Sequence, residues 1–201
     1  MNVFKDPSPT NRSTSSANST SWQDWKYLFP PDGTMSTYNV TSHDRPDGTQ
    51  TEEMAYHYLP NNVIVVYITD YDRSNPSSPT AMYSKIKYLL ENNQVFQIKP
   101  NGEKFKIFEK VEMGKPYEGL PIVNIAKSVT LKGSDTAKYQ NCFIAQEKEF
   151  QDVLCKDMGL VYRESSGEYG TSQIIDSTEK VDDYYYAALK VHFKAEGRWE
   201  W

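Results

Sequence analysis

The chain has 201 residues, of which 38% are hydrophobic and 13% aromatic, and its formal net charge is −5. Roughly 175 residues outside a polar leader are enough for one domain with its own hydrophobic core. The negative charge and the singly scattered lysines argue against a nucleic-acid surface. The sequence has no apolar run of about 18 residues, the length that a membrane-spanning helix requires.

Residues 1–21 are rich in Ser, Thr, Asn and Pro and contain almost no apolar side chains. Such a segment buries too little surface to offset the entropy cost of ordering, so we predict a flexible tether. A cloning remnant and a frayed terminus are the alternative interpretations. The folded domain is then predicted to span 22–201 and to begin with the aromatic patch 22–29, where the spacing of Trp22 and Trp25 fits one helical turn.

From Met35 onward, short segments of alternating apolar and polar residues are separated by turn residues, which is typical of antiparallel strands. Pro-Asp-Gly-Thr occurs at 31–34 and again at 46–49, and Asn101-Gly102 is a strong hairpin signal. Residues 112–121 and 165–182 are predicted loops. The predicted strands are 35–42, 50–59, 63–70, 80–91, 95–99, 104–111, 123–131, 139–146, 153–164 and 185–193.

This pattern predicts a mainly β protein of about nine or ten strands with one or two short helices. We expect a single strongly curved antiparallel sheet, either a half-barrel or a closed up-and-down barrel. A two-sheet sandwich is the main alternative. In the last predicted strand, Leu189, Val191 and Phe193 fall on the buried face, and Lys190 and His192 fall on the solvated face.

Cys142 and Cys155 are the only cysteines in the sequence. If segments 139–146 and 153–164 form a hairpin centred on Lys148-Glu149, the two cysteines lie directly opposite each other, within reach of a disulfide. A disulfide requires an oxidising compartment, and two reduced core thiols are the alternative. A catalytic cysteine is not expected, because no histidine or positive helix end nearby lowers the thiol pKa.

The sequence contains no recognisable motif for catalysis or for a metal or cofactor. Its three histidines are too scattered for a metal site. Residues 70–75 resemble a calcium loop, but an EF-hand needs Gly and Glu where this chain has Asn75 and Ala81. Glu52-Glu53 are adjacent carboxylates, which point to opposite faces of a strand and so cannot flank a substrate. We therefore predict that the protein is not an enzyme and uses no cofactor.

The aromatic content is higher than a small core usually requires. Because tyrosine combines an apolar body with a polar tip, it suits the wall of a concave binding surface. The alternative is that these aromatic side chains are ordinary core and cross-strand partners. The residues that we predict to bind a ligand are Tyr56, Tyr58, Tyr67, Tyr88, Phe96 and Tyr185.

Two segments carry a resemblance to a known group of proteins. Phe29-Pro30-Pro31-Asp32-Gly33-Thr34-Met35-Ser36-Thr37-Tyr38 is similar to the Phe-Pro-x-x-Gly-x-x-x-x-Tyr opening of uncharacterised bacterial surface lipoproteins. Cys155-Lys156-Asp157-Met158-Gly159-Leu160-Val161-Tyr162 is similar to their later Gly-Leu-Val strand. The chain departs from the pattern at Ser36-Thr37, where these lipoproteins usually have a Trp before the Tyr.

The resemblance implies an exported domain built as a curved antiparallel half-barrel, similar in architecture to the lipoprotein carriers of the bacterial envelope. It further implies an N-terminal lipid anchor, borne by a Cys that is absent from this chain, followed by a Ser/Thr/Asn-rich linker. It implies no catalytic residues.

The sequence thus predicts a non-catalytic extracytoplasmic domain, at the cell surface or in the periplasm, that binds an apolar ligand or lipid. A protein–protein interaction module of the cell envelope with a filled core is the alternative. A hydrolase with a site built from 70–72 and 165–182 is a third hypothesis. A continuous cavity would favour ligand binding, and a solid core would favour the interaction role.

Overall fold

The computed structural model describes residues 23–42, 45–74, 80–131, 138–166 and 170–195, with only the backbone of 45–49 and of residue 195. The predicted tether, Trp22 and His43 lie outside these residues. A short 3₁₀ helix, Asp24–Tyr27, fits the predicted helical turn, and one α-helix, α1, spans Asp183–Ala195. The strands are Thr34–Ser42 (β1), Arg45–Leu59 (β2), Val63–Asp72 (β3), Thr80–Glu91 (β4), Gln94–Ile98 (β5), Lys104–Phe108 (β6), Pro116–Tyr117 (β7), Leu120–Thr130 (β8), Lys138–Glu147 (β9), Phe150–Cys155 (β10), Gly159–Ser165 (β11) and Thr171–Lys180 (β12).

The twelve strands of the described chain form one antiparallel sheet in the order β6-β5-β4-β3-β2-β1-β12-β11-β10-β9-β8-β7. Strands that follow each other in sequence are neighbours, and β1 pairs with both β2 and β12. The two ends of the sheet meet where the Glu118 amide donates a hydrogen bond of 2.8 Å to the Ile107 carbonyl. The sheet is therefore a nearly closed barrel. The mainly β, curved-sheet prediction is confirmed, and the sandwich alternative and the count of nine or ten strands are wrong.

The additional strands arise in segments that the sequence analysis predicted differently. The predicted strand 153–164 is interrupted by a turn, in which Asp157 and Gly159 have φ angles of 62° and 72°. It therefore divides into β10 and β11. The predicted loop 165–182 contains β12, which pairs with β1 along nearly its whole length. The predicted loop 112–121 contains β7, which forms a tight hairpin with the start of β8.

The predicted last strand, 185–193, is wrong, because this segment is helical. Tyr186, Leu189 and Phe193 lie on one helix face and are buried, whereas Val191 is 68% exposed. The Asp182 carboxylate accepts a hydrogen bond of 3.1 Å from the Tyr185 amide and so caps the first turn. Tyr186, Leu189 and Phe193 follow the i, i+3, i+7 spacing of a helix face. The same segment also alternates between apolar and polar residues, and this alternation led to the strand prediction.

Helix α1 packs on the outside of the barrel. The Tyr186 hydroxyl donates a hydrogen bond of 2.6 Å to the Tyr56 carbonyl, and the Phe193 ring lies 5.8 Å from the Tyr67 ring. This contact buries the outer face of β3, and the inner face of β3 lines the barrel interior. Both faces of β3 are therefore covered, which accounts for the continuous apolar run Val63–Ile68. No helix in the described ranges has the length and apolar character required to cross a bilayer.

The predicted cysteine pairing is confirmed. Cys142 and Cys155 are opposite each other in the β9–β10 ladder, with Cα atoms 4.0 Å apart and a disulfide bond between them. Lys148, in the turn between the two strands, has a φ of 49°. This tight turn fixes the register that aligns the cysteines. The disulfide is fully buried, and it joins two adjacent strands of the barrel wall.

Candidate functional site

The inner face of the barrel surrounds a cavity of about 440 Å³. This volume lies within the range of pockets that hold small ligands in proteins. Residues at every second position of a strand point inward, so Glu52, Met54 and Tyr56 of β2 all line the cavity. Leu28 and Phe29, which follow the 3₁₀ helix, contribute to the same wall.

One part of the cavity wall is aromatic. The Phe29 ring lies 4.9 Å from the Tyr88 ring and 6.4 Å from the Tyr56 ring, measured between centroids. Val66 and Ile86 extend this surface along β3 and β4. Such a wall offers dispersion contacts and removes apolar ligand surface from water.

Another part of the wall is acidic. The β2–β3 register places Glu52 opposite Asp70, so the two carboxyl groups meet on the inner face. The Gln173 side-chain amide of β12 donates a hydrogen bond to Glu52 Oε1. Burial, and then the charge of Asp70, raise the pKa of Glu52 to about 7, although Gln173 and Arg163 oppose this change. Glu52 therefore changes charge near neutral pH.

Arg163 of β11 lies beside this acidic group and is already paired. Its Nε donates to Asp152 Oδ1 at 2.9 Å, and its Nη2 donates to Asp152 Oδ2 at 2.7 Å and to Glu118 Oε2 at 3.3 Å. The Asp152 side chain is only 4% exposed, so this bidentate pair is largely shielded from water. Among the described residues that line the cavity, Arg163 is the only cation.

Two tyrosine side chains on the cavity wall are largely buried. Tyr88 and Tyr117 line the cavity and are 8% and 6% exposed. A third buried tyrosine, Tyr38, donates its hydroxyl hydrogen to the Leu160 carbonyl at 2.9 Å. Burial raises the pKa of Tyr88 and Tyr117 above the usual value, so both hydroxyls stay protonated. As protonated hydroxyls on the cavity wall, they can donate hydrogen bonds to a ligand.

The predicted ligand-binding residues lie in four different places. Tyr56 and Tyr88 are on the cavity wall. Tyr58 lies near the 3₁₀ helix, where its hydroxyl donates to the Pro30 carbonyl at 2.7 Å. Tyr67 packs against α1 on the outside of the barrel, and Tyr185 belongs to α1. Phe96 lies on β5 opposite Leu89 and Lys106. Neither Tyr58 nor these three residues line the cavity.

Sequence reasoning did not find the polar side of the cavity. To predict the polar side, one must know the register of β2 against β3. One must also know that β11 and β12 are separate strands, which the sequence analysis did not predict. One signal was present: Glu52 is a charged residue on the face of β2 that also carries Met54 and Tyr56. A charge at such a position indicates either a buried partner or a ligand.

The site is suited to binding a ligand with an apolar body and a polar end. In the described chain, no group of three or more His, Cys, Asp or Glu side chains is arranged to hold a metal ion. Glu52 and Asp70 contact each other instead of facing across a gap. Neither the protein-family models nor the curated protein sequences include a match to this chain.

Proposed function

We propose that the protein is a non-catalytic, exported β domain that holds a small, largely apolar ligand inside its barrel. The observation that carries this proposal is the cavity of about 440 Å³ with an aromatic wall and a polar side formed by Glu52, Arg163 and Gln173. The alternative function, an interaction module with a filled core, does not account for a cavity of this size.

The proposed location is extracytoplasmic, at the cell surface or in the periplasm. The Cys142–Cys155 disulfide is compatible with an oxidising compartment. The resemblance to bacterial surface lipoproteins supports an N-terminal lipid anchor, which would link the protein to a membrane. The proposed partner is an apolar small molecule or a lipid, and an envelope protein is the alternative partner.

The direct test is native mass spectrometry of the protein purified from its own host. We expect the measured mass to exceed the mass of the chain by that of one bound small molecule. A second measurement uses N-phenyl-1-naphthylamine, an uncharged fluorescent probe of apolar cavities, which should bind with a stoichiometry of one.

A variant that fills the cavity makes this test specific. Ile86→Trp adds bulk at the cavity wall and should abolish probe binding, whereas Val191→Trp, on the exposed face of α1, should not change it. Circular dichroism checks that both variants are folded. Equal probe binding by the two variants, or no binding by the wild-type protein, would contradict a ligand site in the barrel.

The paired carboxylates favour one other candidate function, a hydrolase. Retaining glycosidases use two carboxyl groups about 5–5.5 Å apart that flank the scissile bond. Here Glu52 and Asp70 extend from neighbouring strands and contact each other, which differs from the flanking arrangement of a glycosidase pair. Incubation of the copurified ligand with fresh protein tests this candidate: a change in ligand mass that disappears in Glu52→Gln would favour the enzyme.

A further inference from the structure

We propose that the cavity selects ligands whose polar end is a protonated amine, and that the Glu52 carboxylate accepts this amine. The inference rests on the ligand-binding function proposed above and names the chemical class of the ligand. It follows from the balance of charge inside the barrel, from the free hydrogen-bonding capacity of Glu52 and from the aromatic wall beside it.

The charge balance inside the barrel favours a cationic ligand. Glu118 and Asp152 form ion pairs with a single cation, Arg163, which also lies near Glu52, and Asp70 lies beside Glu52. Arg163 already pairs with both Asp152 and Glu118, so these two carboxylates more than offset its charge. An anionic ligand would therefore meet carboxylates without a free counter-charge. A cation would be attracted, and this attraction is stronger in the low dielectric of the interior than in water.

Glu52 retains the capacity to bind an amine. One of its oxygens accepts the Gln173 amide, and an ionised carboxylate has about four acceptor positions. Tyr56 lies two positions along the same inner face of β2, and Tyr88 follows on β4. Aromatic faces near a carboxylate add cation–π attraction for an ammonium group.

The groups around Glu52 determine how amine binding depends on pH. The titratable or charged neighbours that face it are Tyr38 of β1, Asp70 of β3 and Arg163 of β11, and Gln173 of β12 is neutral. Burial and Asp70 keep the Glu52 proton bound up to a pH of about 7. An ammonium ion that binds below this pH displaces the proton to solvent. Binding of the amine is thus coupled to release of one proton.

The test compares three probes with the same apolar body: 4-phenylbutylamine, 4-phenylbutan-1-ol and 5-phenylpentanoate. Isothermal titration calorimetry at pH 8.5 should give at least tenfold tighter binding for the amine than for the alcohol, and the weakest binding for the carboxylate. At pH 5.5 only about 3% of Glu52 is ionised, so the preference for amine over alcohol should fall by up to about 30-fold. Titrations in two buffers of different ionisation enthalpy should detect the released proton.

A matched pair of variants isolates Glu52. Glu52→Gln should reduce the affinity ratio of amine to alcohol to about one at both pH values. Glu53→Gln, on the outer face of the same strand, should keep the ratio and its pH dependence. Equal affinities for amine and alcohol at pH 8.5, or a ratio unaffected by Glu52→Gln, would overturn the amine selectivity and leave ligand binding intact. If none of the three probes nor the naphthylamine dye binds, the proposed function fails as well.

Discussion

Replacement of Glu52 by glutamine should make the protein more stable at alkaline pH. The pKa of Glu52 rises on folding from 4.5 to about 7, and one pH unit corresponds to about 1.4 kcal/mol, so the ionised side chain costs the native state about 3 kcal/mol. Below pH 4.5 the group is protonated in both states and has no effect. Between pH 4.5 and 7 only the native state keeps the proton, so stability falls as pH rises. Glutamine has the same shape and no charge, which removes this loss.

The assay is urea unfolding, followed by tryptophan fluorescence, at several pH values from 4.5 to 8.5. Glu52→Gln should exceed the wild type by about 3 kcal/mol at pH 8.5 and should match it at pH 4.5. Glu147→Gln, which removes an exposed carboxylate at the end of β9, is the control and should follow the wild type. The reasoning is refuted if Glu52→Gln and wild type lose stability in parallel as pH rises, or if the variant is the less stable protein at pH 8.5.

Three further changes test the packing around the cavity. Arg163→Met leaves the buried Asp152 carboxylate unpaired, so the free energy of unfolding measured in urea should fall by about 3–5 kcal/mol. Adding Asp152→Asn removes the unpaired charge and should restore part of this loss. No recovery in the double variant would contradict this reasoning. Gly159→Ala places a Cβ 2.8 Å from a backbone oxygen at a φ of 72°, so the melting temperature should fall, by the equivalent of about 1–3 kcal/mol. Replacing Cys142 and Cys155 by Ala should cost about 3 kcal/mol, and an unchanged melting temperature under reducing conditions would argue against the bridge.

The hairpins were the most predictable part of the fold, because local turn chemistry determines them. The bounds predicted for β4 coincide with the observed Thr80–Glu91. The Asn92-Asn93 turn that follows has φ angles of 52° and 59°, a conformation that asparagine tolerates better than most residues. The two-residue turn at Lys148-Glu149 likewise fixed the register that joins Cys142 to Cys155.

The α-helix and β12 could not be recognised from alternation alone. Helix α1 has 13 residues, and its apolar positions fit both a strand and a helix pattern. The capping residue Asp182 was the local signal for a helix. In β12, the residues from Asp176 to Lys180 are exposed, so half of this strand has no apolar face to detect. Its pairing with β1 is a tertiary contact that no local pattern encodes.

The cavity depends on contacts between residues that are distant in sequence. Glu52 and Gln173 are 121 positions apart, and they meet because β1 brings β2 and β12 to its two sides. Composition indicated an aromatic surface but not which tyrosines face inward. Whether a tyrosine faces inward depends on whether the odd or the even positions of its strand point into the barrel. One misplaced turn or bulge exchanges the two sets of positions.

The pairing of β1 with β12 affects how the chain reaches its native state. Thr34 and Lys180 are 146 residues apart, so the barrel can close only after nearly the whole domain has been synthesised. Until then β1 has one unpaired edge, and such edges attract strands of other molecules. Topologies with contacts this distant fold in milliseconds to seconds. A newly made chain would therefore benefit from a chaperone that covers β1 before the last strand arrives.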